Sequence, residues 1–131
     1  MSKVFDNILV VASLVPATRT ADANGTGVDT KGFNDAMMVV TVGDLDLASG
    51  DETYVVNLEE SDDNSSFSAV SGFSITMTAD NTTKELRIPD LNTTRKRYLR
   101  AVLDVGGTTP SIPGTAVFVL GEPFSGPVGN A

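Results

Sequence analysis

Residues 98–105, YLRAVLDV, place Leu99, Ala101, Leu103 and Val105 at every second position, with Tyr98, Arg100, Val102 and Asp104 between them. Residues 54–59, YVVNLE, repeat the pattern with Tyr54, Val56 and Leu58. A period of two puts each apolar set on one face of an extended strand, and such a face has to be buried against a second layer. The rest of the chain consists of similar blocks closed by turn residues. Residues 8–14, 36–42, 67–70, 73–78, 84–88 and 114–120 read as further strands, and the 98–105 alternation as the body of a strand that opens at Arg95. The breaks fall at Asn24-Gly25, Ser49-Gly50, residues 61–65, residues 79–83, Pro89, Gly106-Gly107 and residues 110–113. No segment has a helical period. The expected fold is all-β, a single β-sandwich of about eight short strands, jelly-roll-like, with an immunoglobulin-like order as the alternative that the pattern leaves open. The expected organisation is an N-terminal arm over residues 1–20, the sandwich over 21–121, and a Pro/Gly-rich C-terminal tail over 122–131.

A chain of 131 residues makes one domain. At that size roughly 65% of the unfolded surface is buried on folding. Apolar residues are 40% of the chain and aromatics 6%, so the core is mainly aliphatic. The sequence has no His, no Cys and no Trp. It therefore lacks the commonest general base, any thiol nucleophile, any disulfide framework and any thiolate metal site. An enzyme is not expected, and neither is a cofactor. The formal net charge of −8 disfavours nucleic acid as a partner and promotes repulsion between copies. The apolar run at 8–17, ILVVASLVPA, is flanked by a lone Lys3 and by Asp6 and lacks a good cleavage pattern. It reads as a strand or arm rather than a signal peptide. It is also too short to span a bilayer, which takes about 20 apolar residues.

Glu59, Glu60, Asp62 and Asp63 sit at one turn, and Asp44, Asp46, Asp51 and Glu52 surround another. The twelve-residue calcium-loop pattern is absent, so solvated turn carboxylates are expected and no metal site is assigned. Paired carboxylates for glycoside hydrolysis carry little information among seventeen acids. Arg95, Lys96, Arg97 and Arg100 gather four of the nine cations within six residues. They suit either a docking patch for an acidic surface or a solvent-facing strand end that discourages edge pairing. The sequons at Asn24, Asn64, Asn81 and Asn92 read as turn residues. Gly25 and Gly27 do not make a phosphate loop.

One succession of segments carries a resemblance: SKVFDNILVVASLVPA followed by Arg19, then ANGTGVDTKGFNDAMMVV, LEESDDNSSFSAV, RKRYLRAVL and a final apolar strand. Over most of residues 1–120 the chain resembles the head decoration, or cement, proteins of tailed bacteriophages, small virion proteins with β-sandwich folds. ESDDNSSF and KRYLRAVL are the most distinctive parts. The resemblance implies a structural protein on the capsid surface of the virion, made in the bacterial host cytoplasm. It also implies binding to the major capsid protein of the same phage and to further copies of itself, as a dimer or alternatively a trimer. Neither nucleic acid nor membrane is an expected partner. Contacts are expected at Phe5, Ile8, Leu9 and Val10 as apolar anchors, and at Arg19, Arg95, Lys96, Arg97 and Arg100. A phage tail or neck component and a carbohydrate-binding sandwich are the alternative functions.

Overall fold

The computed structural model describes residues 3–124. In chain order the elements are α1 (Val4–Asn7), β1 (Leu9–Arg19), β2 (Ala23–Asn24), β3 (Val28–Asp29), β4 (Phe33–Val42), β5 (Thr53–Ser61), β6 (Ser68–Thr76), β7 (Thr83–Ile88), β8 (Tyr98–Gly106) and β9 (Ile112–Pro123). They form two antiparallel sheets. One, the front sheet, has the order β1-β9-β4-β7. The other, the back sheet, has the order β2-β8-β5-β6, with β3 also on β8. Ala23 pairs with Leu103 and Val28 with Leu99, so β2 and β3 lie one after the other along β8 as a single interrupted strand. Counted that way, the sandwich has eight strands. Apart from that interruption, only the β5–β6 hairpin stays within one sheet; every other connection crosses to the opposite layer. This is jelly-roll connectivity. An immunoglobulin-like sandwich would keep more consecutive strands together.

The alternation read from the sequence forms the core. Tyr54, Val56 and Leu58 of β5 and Leu99, Ala101 and Leu103 of β8 are buried. They face Ala36, Met38, Val40 and Val42 of β4 and Ala116, Phe118 and Leu120 of β9. Val105 is half-buried at the margin. Tyr54 is fully buried, and its polar tip is satisfied. The hydroxyl donates to the Asp46 carbonyl at 2.6 Å and accepts from the Ser111 N–H at 2.9 Å, which ties two loops to one end of the core.

Four expectations need correction. The span expected as an N-terminal arm over residues 1–20 is mostly sheet: the strand read at 8–14 extends over Leu9–Arg19, a full edge strand paired from Leu9↔Leu120 to Arg19↔Ile112. The register slips between Ala12 and Leu14 and again between Leu14 and Ala17. Pro16, which has no N–H to donate, lies in the second slip and is tolerated because the strand is at an edge. The tail boundary at 122 also falls inside a strand, since β9 runs to Pro123; residues 125–131 of the expected tail lie outside the described residues. The two strands expected at 67–70 and 73–78 are one strand, β6, which bulges where Asn57↔Ser74 is followed by Glu59↔Ala69. Gly72, at φ +82°, supplies the left-handed residue that this bulge requires. Finally, β8 starts at Tyr98, so Arg95, Lys96 and Arg97 stand in the approach to it rather than within it.

Candidate docking surfaces

The acidic knuckle and the cationic approach to β8 meet across the β5–β8 ladder, where Glu59 pairs with Arg100, Glu60 with Leu99 and Ser61 with Tyr98. The side chains follow the backbone register. Arg100 donates from Nε and Nη2 to Glu59 Oε1 at 2.9 and 2.6 Å, and its guanidinium lies 4.2 Å from the centre of the Phe67 ring. Arg97 makes a fork to Asp29 at 2.9 and 2.7 Å and lies over the Tyr98 ring. That fork holds the Asp29 carboxyl below the usual carboxylate range and raises the Arg97 guanidinium. Arg95 stacks on Phe73, and its Nη1 approaches Glu60 at 3.6 Å, an ion pair too long to be a hydrogen bond. Lys96 reaches Asp62 at 3.7 Å, while its backbone N–H donates to Glu60. All four cations thus face acids of their own chain. A neighbour's acids are not required to neutralise them.

The acids at the turns have local partners too. Asp63 accepts from the Ser65 and Ser66 N–H groups at 3.0 and 2.9 Å and from the Ser61 hydroxyl at 2.8 Å. The Ser66 N–H first, then the Ser61 hydroxyl and the Ser65 N–H, pull its carboxyl down to about 2. Asp51 accepts from the Thr108 hydroxyl and N–H, which also lowers its carboxyl. Asp46 accepts from the Ala48 N–H, and Asp44 from the Asn81 amide. Among the described residues, no group of three or more His, Cys, Asp or Glu side chains is placed to hold a metal ion. Asn64, Asn81 and Asn92 take positive φ, as turn residues do; Asn24 lies in β2. Tyr54 is in the core and Tyr98 is half-buried beside Arg97, so the two tyrosines offer no open platform for a sugar. Among the described residues, no helix is long and apolar enough to cross a membrane.

The N-terminal anchors divide between two environments. Leu9 turns inward and packs on the core margin, and Val11 does the same. Phe5 and Val10 are exposed, at 64% and 54%, and Ile8 is half-buried. Val4 and Val15 add further exposed apolar surface at 73% and 58%. Arg19 is occupied within the fold: Nη2 donates to the Val15 carbonyl at 2.8 Å and Nη1 to the Gly114 carbonyl at 3.4 Å, which closes the irregular end of β1.

Sequence reasoning missed the outer face of the front sheet. Across it, Val10, Val119, Met37 and Arg87 form one row in register, and Ala12, Val117, Val39 and Glu85 form the next. On β1, β9 and β4 both rows are apolar. The corresponding rows of the back sheet are mixed: Arg100 beside Glu59, Val102 beside Asn57, Asp104 beside Val55. The signal was present in the sequence. Residues 36–42, AMMVVTV, and 116–120, AVFVL, are apolar at nearly every position instead of every second one, the pattern of strands covered on both faces.

No family profile matches the chain, and no curated protein matches it in sequence. Among solved structures, it is similar to a chain from Desmodium yellow mottle tymovirus, with 11% identity and a TM-score of 0.38, over 95% of this chain and 88% of that one.

Proposed function

We propose that this chain is a structural virion protein of a tailed bacteriophage, a decoration or cement protein that binds the outside of the assembled capsid and joins adjacent major capsid subunits. The observation that carries this reading is where the resembling segments fall. ESDDNSSF and KRYLRAVL are far apart in the sequence, yet they run side by side through Glu60↔Leu99 and Ser61↔Tyr98. The most distinctive residues of the resemblance therefore form one ion-paired, ring-stacked unit that stiffens the back sheet. Such a signature suits a rigid building part, and it has no reacting group at its centre. Phe5 and Ile8, with Val4 and Val15 alongside, supply apolar contact to the shell. Arg95, Lys96, Arg97, Arg100 and Arg19 have partners within their own chain and Leu9 packs on the core margin, so in this reading they contribute less to the shell contact.

A protein that binds only the closed shell stabilises it by mass action. Heads lacking the protein should lose their DNA at lower temperature, or after milder osmotic shock, than decorated heads. Phe5→Asp and Val15→Asp variants should occupy fewer capsid sites, with little dependence on salt because the contacts are apolar. Equal survival of bare and decorated heads would remove the cement function. Recovery of the protein with tails instead of full heads would assign it to the tail or neck.

A further inference from the structure

We infer that the outer face of the β1-β9-β4-β7 sheet is a self-association surface, and that its occupant is the same face of a second copy of this chain. The first support is the composition of the face. Val10, Ala12, Val117, Val119, Met37 and Val39 are contiguous in two register rows, with polar ends at Glu85 and Arg87. One-sided antiparallel sheets present polar residues to water, and on β1, β9 and β4 these two rows do not; the polar residues of the face lie around them, at Thr41, Thr83, Thr115, Asp35, Glu85 and Arg87. A contiguous apolar patch of this kind marks an interaction site.

The second support is charge. The face holds Asp35, Glu85 and Arg87, a sum of −1, whereas the whole chain carries −8. Two copies that meet through any acid-rich surface repel one another. Across this face, with its charge of −1, the repulsion is small. Arg87 makes no ion pair or side-chain hydrogen bond among the described residues, unlike the four cations near β8. It is left available to an acid beyond its own chain, and a second copy presents Asp35 and Glu85.

The third support is size and shape. Four strands spaced about 4.8 Å apart and some seven residues long outline roughly 400 Å² of nearly flat surface, before side-chain relief is added. Sheet faces pack on one another about 10 Å apart, and a closed two-fold pair uses one patch twice. Stable interfaces cover about 800 Å² per partner, so this one belongs at the small, concentration-dependent end. The inference stands independently of the capsid reading, because it concerns the isolated protein.

The chain has no cysteine, which gives a clean test. Single-cysteine variants Ala12→Cys, Val39→Cys and Thr115→Cys on the face, and Asn57→Cys on the back sheet as control, would be treated with a short bis-maleimide. The face positions should form covalent dimers at least about 10-fold faster than the control if the interface is populated. Sedimentation of the unmodified protein should show a monomer–dimer equilibrium. Val39→Lys should weaken it by about 100-fold, since like charges would be buried opposite each other. Circular dichroism and melting would establish that Val39→Lys is folded; if it is not, the cysteine series decides alone. A monomer at concentrations up to about 1 mM would overturn the inference, as would equal crosslinking at Asn57→Cys. So would a monomeric protein whose capsid binding is lost in Val39→Lys, a result that would assign the face to the shell instead.

Discussion

At the scale of single residues, most charges in this chain have partners at home. The sequence showed that four cations cluster near residue 97, and that acids cluster near residue 62. It did not show that the two clusters face each other, because the pairing of Glu59 with Arg100 spans 41 positions and depends on which strands become neighbours. Asp63 is different: its partners lie within three residues, so its role follows from local turn chemistry. Its carboxyl is held at about 2 against an ordinary 3.8. A carboxyl depressed in the folded state stabilises the fold fully above its unfolded value, and that contribution disappears as pH falls through the folded value. The knuckle should therefore keep its hydrogen bonds through mild acid and lose them only as pH approaches about 2. The carboxyl carbon shift of Asp63, followed by NMR during an acid titration, would measure this; a midpoint at the ordinary carboxylate value would contradict it.

At the scale of elements, the core strands were legible and the ends were not. The alternation in β5 and β8 fixed which residues face inward, and Asn64, Asn81 and Asn92 fell in turns because Asn tolerates positive φ. β1 was legible as a strand over residues 8–14, but not its run to Arg19 or its place at the sheet edge, because Pro16 interrupts its pattern and its partner, β9, lies at the far end of the sequence. β2 and β3 are two residues each and have no periodicity to detect. The correction changes what truncation should do. Removing residues 1–7 takes away α1 and exposed side chains, and should leave a folded sandwich. Removing residues 1–15 takes away most of β1, including the buried Leu14, and exposes the β9 edge and the inward side chain of Phe118. Losing even one buried Leu costs about 2–5 kcal/mol, a large share of a small domain's stability of about 5–15 kcal/mol. The shorter deletion should melt cooperatively near the full-length temperature and the longer one should be unfolded or aggregated. A folded, monomeric 16–131 fragment would show that β1 is an accessory after all.

At the scale of the whole molecule, the all-β class and the sandwich were legible from the number of strand-length blocks and the absence of any helical period. The order of strands was not, since strand order is set by long-range pairing that leaves no local mark. The same order has a consequence in time. Leu9 pairs with Leu120, so the edge strand emerges first from a ribosome and its neighbour emerges 111 residues later. At synthesis rates of about 5–20 residues per second, the front sheet stays open for about 5–20 s. Only the β5–β6 hairpin can close early. Topologies dominated by non-local pairing also refold slowly, in milliseconds to seconds. Stalled nascent chains should therefore remain protease-sensitive until Leu120 is exposed and become resistant abruptly afterwards; resistance acquired at the length of β6 would show that half of the sandwich folds alone. Until that moment the apolar run at residues 8–14 has no strand to pair with, so an open strand edge on each growing chain can meet the same run on its neighbours along a polysome.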